Sequence, residues 1–174
     1  MATDYNLLAN KANITITTPL AIRNGAVDNL KDGDGATTGL NFNFTTTANL
    51  VYFVLEFPEP VVLQGGDLAM GSAFFSNAGV SEFQASNNGT DWTTLTSRTH
   101  TGGSNGGCAF GNCTSGESWG FPDNEDAYTF YRLFKVSGST RFNSNHQEFY
   151  FQIVREEQAG LENVTCNPGP DIFA

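Results

Sequence analysis

The sequence predicts an all-β protein, an antiparallel jelly-roll-like β-sandwich, and three observations carry that prediction. Helical periodicity is missing almost everywhere along the 174 residues. Short runs rich in Val, Ile, Thr, Phe and Tyr recur instead between clusters of Gly, Asn, Ser and Pro. Within several of these runs apolar and polar residues alternate, as a strand with one buried face requires.

Strands are expected near 13–18 (NITITT), 50–57 (LVYFVLEF), 67–74, 80–86 (VSEFQAS), 92–96, 128–136 (YTFYRLFKV) and 147–154 (QEFYFQIV). LVYFVLEF is apolar on both faces, which makes it a central strand. In VSEFQAS, Phe83 and Ala85 oppose Glu82, Gln84 and Ser86, and in QEFYFQIV, Phe149, Phe151 and Ile153 oppose Glu148, Tyr150 and Gln152. The expected core is Phe53, Leu55, Phe83, Trp92, Leu133, Phe149 and Phe151. SNNGTDW reads as a hairpin turn, with Asn-Gly supplying positive φ. Residues 1–154 form one domain, interrupted by a Gly/Ser-rich insertion at 99–127 with no strand pattern, and 155–174 form a Pro-containing tail.

A net charge of −10 argues against nucleic acid and anionic lipid, which call for clustered Lys and Arg, and leaves divalent cations as a possibility for clustered carboxylates. No run of about 18 apolar residues occurs. The chain starts at Met1 without the pattern of a secretion signal. Cys108 and Cys113 in CAFGNC are close enough to form a small disulfide loop in an oxidising compartment, and Cys166 has no obvious mate.

Four stretches in order, NLLANKANITIT, NLKDGDGATTG, FQASNNGTDWTTL and FYRLFKVSG…QEFYFQI, resemble the galactose-binding-like β-sandwich of discoidin or coagulation-factor C-type domains and related carbohydrate-binding modules. The insertion at 99–127, the missing Trp after the Asp-Gly loop and the tail depart from that pattern. The resemblance implies a structural Ca²⁺ in the NLKDGDGATTG loop. Its ligands would be the Asp32 carboxylate, backbone oxygens around Lys31, Asp34 and Thr37, the hydroxyl of Thr37 or Thr38, and Glu148 from the last strand. A hard cation taking six to eight oxygens suits such a loop. The residues alone also fit an Asx turn in which Asp32 and Asp34 bond nearby N–H groups. The phosphate-loop and EF-hand patterns both fail here.

No hydrolase elbow or nucleophilic Cys motif appears, Glu56 and Glu59 read as solvated carboxylates, and Arg132 reads as a packed stem paired to a carboxylate. The protein is therefore expected to bind rather than catalyse. A sugar site needs an aromatic platform with Arg, His, Asn or Asp around it. The loops supply Phe75, Asn77, Arg98, His100, Trp119, Phe121, Arg141, Asn143 and His146. Trp119 and Phe121 either face a ligand or fold back into the core. Expected partners are a cell-surface or polysaccharide glycan and, through the tail, neighbouring subunits of a virion or extracellular assembly. A module cut from a secreted enzyme and a purely structural subunit are the alternatives.

Overall fold

The structure is a computed structural model that describes residues 3–34, 39–42, 48–70, 79–100, 108–111, 113, 116–138 and 146–154. Among the described residues, one helical turn, α1 (Leu8–Lys11), and a 3₁₀ turn (Val27–Leu30) accompany ten strands. These are β1 (Thr15–Thr17), β2 (Ile22–Asn24), β3 (Asn41–Phe42), β4 (Leu50–Val61), β5 (Leu63–Met70), β6 (Gly79–Ser86), β7 (Thr93–His100), β8 (Gly116–Gly120), β9 (Tyr128–Lys135) and β10 (His146–Ile153). Two antiparallel sheets, ordered β1-β4-β9-β6-β7 and β10-β5-β8, make the sandwich, and β2 pairs with β3 separately. β4 is central, lying between β1 and β9, as its two apolar faces require.

Aromatic side chains from the two sheets meet in the core. Phe53 lies edge-on to Phe149 and Phe57 to Phe151, each pair with centroids 5.4 Å apart. Phe83 stacks on Phe121 at 5.2 Å and packs on Trp119. Such offset and edge-to-face contacts follow from the ring quadrupole.

Several expectations need correction. The segment read as a strandless insertion contains β8, and β5 begins at Leu63 rather than 67. At one glycine in each stretch, neighbours leave no room for a Cβ. One added at Gly65 would lie 2.3 Å from the Phe110 ring, and one at Gly116 would lie 2.8 Å from the Leu68 carbonyl oxygen. Trp92 is not in the core. It precedes edge strand β7, half-buried, with the Arg132 guanidinium 4.1 Å from its ring centre. Arg132 donates to the Gln84 side-chain oxygen at 2.6 Å, and the Glu82 carboxylate nearby supplies the expected opposite charge. Gln84, Ser86 and Glu148, expected on wet faces, are buried. At the hairpin, Gly89 alone takes positive φ, and the Asn88 side chain accepts from the N–H groups of Thr90 and Asp91.

Candidate functional site

Strand register gathers many loop-bearing ends on one side of the sandwich. Leu50 and Ser81 both pair with Lys135, and Gly79 pairs with His100. In the other sheet Met70 pairs with His146, and Ala69 with Gly116. The strand ends flanking 43–47, 71–78 and 139–145 therefore share one end. Phe75, Asn77, Arg141 and Asn143 lie outside the described residues.

A polar cluster forms the floor of this end. The Trp119 indole N–H donates to Ser81 Oγ at 3.0 Å, and Ser81 Oγ lies 2.6 Å from His100 Nε2. His100 Nδ1 is 3.6 Å from Glu117 Oε2, which pairs with Arg98 Nη2 at 3.0 Å, and Arg98 also donates to the Ser118 carbonyl. A neutral His100 carrying its proton on Nδ1 suits both neighbours, accepting from Ser81 and facing Glu117. Burial, reinforced by Arg98 and Lys135, holds the His100 pKa down to about 4. Burial raises that of Glu117 against the pull of Arg98, and burial lowers that of Lys135 to about 8. Ser, His and Glu are the residue types of a hydrolytic triad, yet Ser81 is fully buried. No carbonyl substrate can reach its oxygen in this arrangement, so the cluster serves as a hydrogen-bonded support.

Burial also overturns four expected sugar contacts. Trp119 is 1% exposed, Phe121 5%, His100 5% and His146 1%. Trp119 and Phe121 fold back onto Phe83. His146 Nδ1 lies 2.9 Å from the Leu40 carbonyl oxygen, with its ring against Phe42 and Phe53. Its pKa falls to about 4, with burial outweighing the Leu40 hydrogen bond. Arg98 keeps 36% of its side-chain surface exposed while holding Glu117. From the sequence, Ser81 and Lys135 sit on strands where a polar residue reads as outward-facing, and Glu117 falls in the segment that carries no strand pattern, so none of the three stood out.

The expected cation loop does reach the last strand. The Gly33 N–H donates to Glu148 Oε2 at 3.1 Å. Asp32 Oδ1 accepts from the Asp34 N–H at 2.9 Å, an Asx turn, and both residues are exposed. Lys31 Nζ donates to the carbonyls of Ala12 and Ile14 and pairs with Asp28. Thr37 and Thr38 lie outside the described residues. Glu148 is fully buried, and its other oxygen receives the Lys11 ammonium at 2.5 Å. A Ca²⁺ on this carboxylate would meet that ammonium, at a repulsion of roughly 4 kcal/mol per unit charge near 4 Å in an effective dielectric of about 20. The donors already on Glu148 do not fit calcium. Among the described residues, no group of three or more His, Cys, Asp or Glu could hold a metal.

On the outer face of β5, Cys108 and Cys113 are joined by a disulfide with Cα atoms 5.4 Å apart. Buried Asp67 clamps this loop, accepting from the N–H groups of Ala109, Phe110 and Gly111 at 3.2, 2.6 and 2.7 Å. Cys166 lies outside the described residues.

No protein-family model and no curated protein sequence matches the chain. Solved structures do match. A first family 32 module, CBM32-1 from a family 31 glycoside hydrolase of Clostridium perfringens, aligns at TM-score 0.57 and 9% identity over 80% of this chain and 94% of its own. The module CpGH89CBM32-5 from Clostridium perfringens, in complex with GalNAc-β-1,3-galactose, aligns at 0.52 and 14% identity over 82% and 97%. The family 32 module of C. perfringens NanJ, in complex with galactose, aligns at 0.52 and 12% identity over 82% and 95%. The chain has the galactose-binding-like β-sandwich fold of the family 32 carbohydrate-binding modules.

Proposed function

We propose that the chain is a non-catalytic glycan-binding module whose ligand rests on the loop end of the sandwich. The observation that carries this reading is the fold it shares, over at least 80% of its length, with modules solved in complex with galactose and GalNAc-β-1,3-galactose. With Trp119, Phe121, His100 and His146 buried, the contacts fall to Phe75 as the aromatic platform and to Arg141, Asn77 and Asn143 as hydrogen-bonding groups, together with the part-exposed Arg98. An aromatic face matches the C–H surface of a galactose-type sugar, and fixed polar groups select its hydroxyls. The net charge of −10 favours neutral sugars over polyanionic ones.

Display on a virion or extracellular assembly is the further part of this reading, with segment 155–174 as the contact to neighbouring subunits. Deleting 156–174 should then weaken assembly while leaving sugar binding intact. The decisive test of binding is a glycan array with the wild type, Phe75→Ala and Arg141→Ala. Binding to galactose- or GalNAc-terminated glycans that is lost in both variants supports the proposal. A blank wild-type array, or binding unchanged in both variants, overturns it.

A further inference from the structure

We propose that the Lys11 ammonium occupies the cation position beneath loop 31–34, so that the sandwich is closed at this edge by an internal charge and requires no calcium. Lys11 ends α1 and is 1% exposed. Its ammonium donates to Glu148 Oε1 at 2.5 Å and to the Phe149 carbonyl at 2.8 Å, and lies 4.7 Å from the centre of the Tyr150 ring. An anion, a carbonyl oxygen and an aromatic face are all groups that stabilise a cation. The second oxygen of Glu148 accepts from Gly33. One buried carboxylate thus joins the N-terminal turn, the 31–34 loop and the last strand.

The surrounding contacts explain why the charge belongs here. β10 is an edge strand of its sheet. The Asn6 side chain pairs with both the N–H and the carbonyl of Phe151, at 2.8 and 2.6 Å, and Lys11 takes the Phe149 carbonyl two residues away. The N-terminal segment therefore covers this edge with side chains that satisfy its backbone, a role that a neighbouring strand would otherwise fill. Because the cation is tethered to the same segment, closure depends on no ion concentration. A Ca²⁺ at Glu148 would have to share this carboxylate with the ammonium already on it.

The test is a melting experiment on the full chain in chelator, in calcium and in magnesium. The wild-type melting temperature should agree across the three within about 1 °C, since a ligand that does not bind the folded state cannot shift it. A wild-type transition that falls in chelator and is restored by calcium overturns the proposal. So does a saturable calorimetric titration of the wild type with CaCl₂. Lys11→Met leaves Glu148 buried beside an empty cation position. This variant should melt lower than the wild type and recover by roughly 5 °C with calcium at about 50 times its dissociation constant. A Lys11→Met chain that folds and ignores calcium also counts against the proposal. If that variant fails to fold, the wild-type melts and titration still decide the question.

Discussion

Replacing Asp67 by Ala removes the clamp that fixes the disulfide loop on the outer face of the second sheet. Two of its three hydrogen bonds are short, 2.6 and 2.7 Å from Phe110 and Gly111, and the third, from Ala109, is 3.2 Å. A hydrogen bond to a charged acceptor contributes roughly 1.5–3 kcal/mol. The sum overstates the loss, because the freed N–H groups are only partly buried and regain water, and because the variant no longer buries a carboxylate. The expected net loss is about 2–5 kcal/mol. At roughly 3 °C per kcal/mol for a chain of this size, melting should fall by about 6–15 °C. Asp67→Asn should lose about half as much, since its amide oxygen can still accept from Phe110 and Gly111 while its NH₂ opposes Ala109. The assay is thermal melting under non-reducing conditions, with hydrogen exchange at residues 109–111 as the local readout. An Asp67→Ala chain that melts within about 2 °C of the wild type, with exchange at 109–111 unchanged, would refute the reasoning.

Two further outcomes are expected. His100 and His146, the only histidines of the chain, are held at about 4 by burial, whereas an unfolded histidine titrates near 6.5. Between those values the unfolded chain takes up protons that the folded chain refuses, so stability should fall as pH drops from about 6.5 towards 4. Each ring contributes about 2 kcal/mol by pH 5, and the raised pKa of Glu117 offsets part of this. Proton NMR of the folded protein should show neither imidazole titrating above pH 5, and a folded-state midpoint near 6.5 contradicts the assignment. Tyr131→Phe removes a hydroxyl that donates to the Val61 carbonyl at 2.6 Å and accepts from the Leu63 N–H at 3.3 Å. The loss should be roughly 1–3 kcal/mol, read as a lower melting temperature with unchanged far-ultraviolet dichroism. Melting within about 1 °C of the wild type contradicts it.

The positions of β4, β6, β9 and β10 were legible in the sequence because a strand's alternation is local: Phe53, Phe83, Leu133 and Phe149 face the core as their spacing requires. The spacing of Cys108 and Cys113 is equally local. β8 and the start of β5 were not legible. Their glycines are set by what lies against them, the Phe110 ring at Gly65 and the Leu68 carbonyl at Gly116, and a turn would carry the same residues. Trp119, His100 and His146 likewise offered no local sign of their burial. Each is placed by register with a neighbouring strand, and a shift of one residue would turn it to the opposite face.

The sequence by itself determined that this protein is a β-sandwich, where most of its strands run, and that the 31–34 loop has the composition to hold or to cap a charge. Only the tertiary structure brings the Lys11 ammonium to Glu148, the carboxylate that this loop contacts. Lys11 and Glu148 are 137 positions apart, and no local pattern relates them. A buried carboxylate must be neutralised by whatever cation the fold brings within reach, and here the folded chain brings its own.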